Sequence, residues 1–103
     1  MDTQLKKGVL EIAILYQLRE GEEYGYEIMK RIREEFPDVY EGSVYAILRR
    51  LAAEGVAAVS RRPSGMGPPR KYYSLTPSGR EALAASLAEW TALRESLSRL
   101  GLP

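Results

Sequence analysis

Between Gly55 and Thr76 the sequence twice abandons helical patterning: "VAAVSRR" reads as a short strand, "PSGMGPP" cannot continue a helix, and "RKYYSLT" reads as a second strand. This segment constrains the fold most, because it sets a β-hairpin in a chain whose other periodic segments are helical. The glycines do not form a P-loop, which needs a strand before it, a Gly-Lys-Ser/Thr ending and a helix after it. Along the returning strand Tyr72 and Tyr73 point to opposite faces, so one packs inward and the other stays near the surface.

The flanking segments carry helical spacing. Leu5, Val9, Ile12 and Tyr16, with Leu10, Ile14 and Leu18 alongside, recur at three- and four-residue steps and predict a first helix over roughly residues 4–19, ended by "REGEEYG". Tyr24, Ile28, Met29, Ile32 and Phe36 predict a second, shorter helix that stops before Pro37. After the turn "PDVYEG", Ser43 stands where a cap belongs, before "VYAILRRLAAEG", with Gly55 as the C-terminal stop. Thr76 before Pro77 is a strong helix start, although Gly79 occupies the place of a capping-box glutamate. The last helix runs to about Leu100, and on it Leu83, Trp90, Leu93, Leu97 and Leu100 fit heptad a and d positions, with Ser86 interrupting one d position and Leu87 beside it. With no later element to meet, this stripe is expected to lie on the first helix or on a second copy of the chain. A homodimer is the economical expectation.

At 103 residues the chain is the size of one domain, and folding alone buries about 60–68% of the unfolded surface, so a partner subunit helps. There is neither cysteine nor histidine. That removes disulfides, thiolate metal sites, Ser-His-Asp chemistry and histidine acid/base catalysis, and no catalytic residue, metal site or cofactor is expected. The carboxylate neighbours Glu22–Glu23 and Glu34–Glu35 point apart on helix or turn surfaces and read as solvated. Glu11 interrupts the apolar run after Lys6 and Lys7, so the N-terminus reads as a core helix and not a signal peptide. No stretch of about 20 apolar residues exists, so no membrane partner and a cytoplasmic location are expected.

The net charge is +1, but its distribution is uneven: residues 43–72 hold six Lys/Arg against one acid, whereas residues 1–42 hold six against ten. On charge alone, that segment reads either as a polyanion-binding surface or as a solvated face. The third helix adds geometry. Val44, Ile47, Leu48 and Leu51 fall within one narrow arc, while Tyr45, Ala46, Arg49, Arg50 and Ala53 lie opposite, with alanines low enough for close approach to another molecule. Helix, helix, helix and basic hairpin make a winged helix-turn-helix whose third helix suits a DNA major groove. The fold class expected is mostly α with a small β-hairpin: a DNA-binding winged helix-turn-helix over residues 1–75 and a C-terminal dimerisation helix over residues 76–103, forming one compact unit.

The residues also support a resemblance. "EGSVYAILRRLAAEGVAAV" followed by "GPPRKYYSLTPSGREAL" closely resembles the PadR family of transcriptional regulators, over about Gly8 through Leu83. Ser43 and Val44 stand where threonine and leucine are common, and Ala46 where proline is frequent. Ending after one further helix looks like the family's short branch, and the resemblance implies dimers joined through that helix, repression, and in some members response to small aromatic or drug-like compounds.

The candidate DNA-binding residues are Ser43, Tyr45, Ala46, Arg49 and Arg50 on the third helix and Arg61, Arg62, Arg70 and Lys71 on the hairpin. Arg49 or Arg50 can grip a guanine edge or a phosphate, Tyr45 reads as filler or as a phosphate donor, and the wing cations suit phosphate or the minor groove. Trp90 reads as an interface anchor, or as a stacking plate for a flat aromatic effector, beside Leu83, Leu87, Leu93, Leu97 and Leu100. Met29 and Met66 show no spacing that suggests a heme or metal role. The expected partners are a double-stranded operator, a second copy and a small aromatic effector. A winged-helix protein-interaction module and a small-molecule carrier that does not bind DNA remain alternatives at this point.

Overall fold

The computed structural model describes residues 3–103, with side chains from Leu5 onward. Its elements in order are α1 (Thr3–Gln17), β1 (Glu23–Tyr24), α2 (Gly25–Glu35), α3 (Glu41–Ala53), β2 (Ala57–Arg62), β3 (Arg70–Leu75) and α4 (Pro77–Arg99). The helical spacing of the first segment delivers Leu10, Ile14, Leu15 and Leu18 into the core. α1 stops at Gln17, short of residue 19, because Leu18 and Arg19 donate to the carbonyls three residues back, at 3.0 and 3.2 Å, and tighten the last turn.

In α2, Ile28, Met29 and Ile32 are buried, and the Phe36 amide donates to the Ile32 carbonyl at 2.9 Å before Pro37 ends the helix. The connection to α3 is held from both sides. Val39 is buried, and its carbonyl accepts from Arg33 Nε at 2.9 Å, while Arg33 also reaches Glu41. α3 begins at Glu41, so Ser43 is not its cap. Tyr40 holds that place without a side-chain cap bond, and Ser43 lies in the first turn with its amide on the Tyr40 carbonyl at 3.0 Å. Anchoring by Val39 and Arg33, with the Glu41 carboxylate favourable at the helix N-terminus, starts the helix three residues early. Gly55 ends it with φ +76, the left-handed conformation expected of a C-terminal stop.

β2 and β3 form the expected hairpin, in register from Ala57 opposite Leu75 to Arg62 opposite Arg70. The hairpin is not alone, however: β1 adds a third antiparallel strand, in the order β1-β3-β2, by pairing Glu23 with Tyr73 and Tyr24 with Tyr72. Two residues are too short for an alternation signal, so this strand was hidden in a segment read as a helix ending. Tyr73 is buried and Tyr72 half-buried, as alternation requires.

α4 starts at the Thr76 cap, whose hydroxyl accepts from the Gly79 amide at 3.0 Å and donates to the Gly55 carbonyl at 2.6 Å. One side chain thus ties the end of α3 to the start of α4. Leu83 joins the core, which is otherwise built from α1, α2, α3 and the sheet, and Leu87 packs against it. Each fully buried aliphatic side chain such as Ile14 or Leu48 contributes about 1.5–3 kcal/mol. Beyond Leu87 the helix leaves the body and lengthens the molecule to 54 Å.

Candidate nucleic-acid interface

The outward side of α3 is set by what its inward side buries. With Val44, Leu48 and Leu51 in the core, Ala46, Arg49 and Arg50 are exposed, and Tyr45 is half-buried against the core. The two arginines go to different flanks. Arg50 turns toward α1, where it pairs with Glu11 at 3.3 Å and with Glu54 at 3.0 Å. There it borders an open hollow with Lys6, Lys7, Ser43 and Ala46. Arg49 turns toward the hairpin and makes no ion pair or hydrogen bond among the described residues.

The hairpin cations also divide. Arg61 and Lys71 are directly opposite on the face that carries Tyr73, whereas Arg62 and Arg70 are opposite on the other face. Like charges in such register destabilise a strand pair, so each pair calls for a partner. Arg62 has two: the Glu22 carboxylate, and the Tyr72 ring, whose centroid lies 4.1 Å from its guanidinium. Arg70 lies 5.3 Å from the Tyr24 ring. Arg61 and Lys71 make no ion pair among the described residues. Between α3 and the hairpin runs an open groove of about 260 Å³, bounded by Tyr24, Tyr26, Tyr45, Arg49, Arg70 and Lys71.

The electrostatics show the same convergence. Burial pushes the Tyr73 phenol above the ordinary tyrosine range, and the Arg49 and Arg61 charges pull against it, so both guanidiniums act on one hydroxyl. Burial also raises Tyr45, with the Glu41 carboxylate adding to the rise. Both tyrosines are therefore neutral donors near pH 7.

At the other end, Trp90, Leu93 and Leu100 of the α4 stripe are exposed, Leu97 is half-buried, and only Leu83 and Leu87 meet the core. An apolar hollow of about 460 Å³ lies between Val9, Ile12, Ala13 and Tyr16 of α1 and Leu87 and Trp90 of α4.

This arrangement matches known proteins along most of its length. The family model described as the transcriptional regulator PadR-like family covers residues 14–85. The chain belongs to the PadR-like family. A Streptococcus transcriptional regulator of known crystal structure is 35% identical with a TM-score of 0.83, over 98% of this chain and 100% of that one. The negative transcriptional regulator PadR of Bacillus subtilis is 36% identical over 73% of this chain and 43% of its own, so this chain spans less than half that relative's length. The crystal structure of Bacillus subtilis PadR in complex with operator DNA aligns with a TM-score of 0.67 and 34% identity, over 77% of this chain and 46% of that one. PadR-like proteins are transcriptional regulators, not enzymes.

Within the PadR-like frame, the structure brings Tyr45, Arg49, Arg61 and Lys71 to one side, with Arg70 at its edge. Ser43, Ala46 and Arg50 form an adjoining flank, and Arg62 faces away. Sequence reading missed Lys6 and Lys7, which α1 contributes to the Arg50 flank, and Tyr26 and Tyr40, which stand exposed at the starts of α2 and α3. Their only sequence signal was an aromatic or basic residue beside a helix boundary.

Proposed function

We propose that the chain is a homodimeric repressor that binds a pseudo-palindromic operator, with residues 1–75 contacting DNA and residues 76–103 joining the two copies. One observation carries this reading: Arg49 from α3 and the opposed Arg61 and Lys71 from the hairpin converge on one side and have no acidic partner among the described residues. In that geometry α3 enters the major groove, where Arg49 reaches a base edge or a phosphate, and the wing meets the flanking backbone. Bacillus subtilis PadR, named a negative transcriptional regulator and solved in complex with operator DNA, favours repression through DNA contact. The exposed leucines of α4 supply the apolar stripe that a second copy covers, and the hollow beside Trp90 suits a small aromatic effector acting in the cytoplasm.

Selection of fragments from the protein's own genome tests the DNA role. The expected result is an inverted repeat whose affinity falls about a thousandfold or more between about 50 and 200 mM salt. Failure of any fragment to outcompete bulk DNA overturns the reading and leaves the interaction module or the carrier. The effector role fails if planar aromatic compounds neither quench Trp90 emission nor change affinity for the selected fragment.

A further inference from the structure

Ala57, Tyr73 and Leu75 anchor the base of the wing in the core and β1 adds two paired residues, but the β2–β3 ladder runs on beyond this base to Arg62 and Arg70. On the sheet face away from Tyr73, side chains from three segments stand in series. Glu22, just before β1, pairs with Arg62. The Arg62 guanidinium lies 4.1 Å from the Tyr72 ring centroid, and Tyr72 stacks on Tyr24 with centroids 5.2 Å apart and planes at 26°. Tyr24 is the residue from which α2 starts. The row thus leaves the Glu22–Tyr24 segment, crosses the wing, and returns to that segment.

We infer that this row is a strut that sets the wing's pitch against the helix-turn-helix, and that Arg62 is a positioning residue and not a DNA contact. The inference deepens the DNA-binding reading and rests on it. Strand alternation is the cause: neighbouring arginines leave β2 on opposite faces, so Arg61 joins the Arg49 side while Arg62 is committed to Glu22 and Tyr72. Each contact is weak in water, but together they oppose rocking of the outer hairpin, which extends past its core-anchored base. A wing already held at its binding pitch loses less freedom when it meets DNA, which strengthens association without any added contact.

The test measures binding to the selected fragment across salt for five variants. Tyr72→Leu should bind about fivefold more weakly at every salt concentration with an unchanged salt slope, and Tyr72→Phe, which keeps the ring, should restore affinity. Arg62→Lys should also weaken binding although it keeps the charge, and Glu22→Ala should weaken it although it removes a carboxylate that repels DNA. Arg61→Ala, which removes one phosphate contact from each of the two copies, should lower the slope by about 1.8. Wild-type affinity in Arg62→Lys and Tyr72→Leu, or equal or tighter binding by Glu22→Ala, overturns the strut. Amide exchange reads the strut without DNA. Glu22→Ala should speed exchange of residues 60–62 and 70–72 about tenfold while α1 and α3 keep their protection. Unchanged exchange overturns the strut even if DNA binds, whereas accelerated exchange in a protein that selects no fragment leaves the strut standing and removes the operator reading.

Discussion

Gly79 lies so close to the Val56 carbonyl that a Cβ at position 79 would stand 2.0 Å from that oxygen. The contact is backbone against backbone, in the first turn of α4 where that helix crosses the start of β2, and it explains why glycine replaces a capping-box glutamate. Gly79→Ala must move α4 or β2 and should cost about 2 kcal/mol or more, read from urea unfolding. Gly8→Ala is the control. With nothing among the described residues within 4 Å of its added methyl in α1, it should stabilise by about 0.5–1 kcal/mol.

Thr76 makes the second link at this corner, with its hydroxyl between the Gly55 carbonyl and the Gly79 amide. Thr76→Ala should lower stability by about 1 kcal/mol, and Thr76→Ser should keep most of it because the cap oxygen remains. Chemical denaturation of both variants distinguishes loss of the cap from loss of the methyl.

Arg49 and Arg50 are neighbours in sequence but not in surroundings. Arg50 is engaged by Glu11 and Glu54, while Arg49 faces the wing groove. Arg49→Ala is expected to lower affinity for the selected fragment by about 1–3 kcal/mol, and Arg50→Ala by less, since its charge is already balanced locally. Parallel titrations with the two single variants check this.

Tyr45 and Tyr73 set an alkaline limit. Burial raises both above the ordinary value of 10.0 in the folded state, so the folded protein keeps protons that the unfolded chain releases. Their contribution is fully present below about pH 10 and is lost as pH rises through the folded values. Thermal midpoints should fall from about pH 10 upward, and the fall should be shallower in Tyr45→Phe.

Leu93 is 53% exposed on the part of α4 that has left the body. Leu93→Glu should therefore leave helix content unchanged by circular dichroism while sedimentation shifts from dimer to monomer. A wild-type protein that sediments as a monomer at micromolar concentration would remove the second copy from the proposal.

Much of this protein was legible without coordinates. The period of three to four, Pro37, Gly55 and the Thr76-Pro77 start placed the four helices, and alternation around the Gly/Pro tip placed the hairpin, because each is a local consequence of backbone sterics and amphipathic spacing. Helix boundaries were less secure: Ser43 looked like a cap, but burial of Val39 and the Arg33 contacts began α3 earlier. Charge counting placed six cations between residues 43 and 72, and periodicity showed which side of α3 was free. Neither could say which cations remained available. That depended on partners distant in sequence, Glu11 for Arg50 and Glu22 for Arg62, and on the two-residue strand that brings Glu22 and Tyr24 beside the wing. Local patterns follow from neighbours along the chain, whereas the pairing of one charge with another is settled only when separate elements pack against each other.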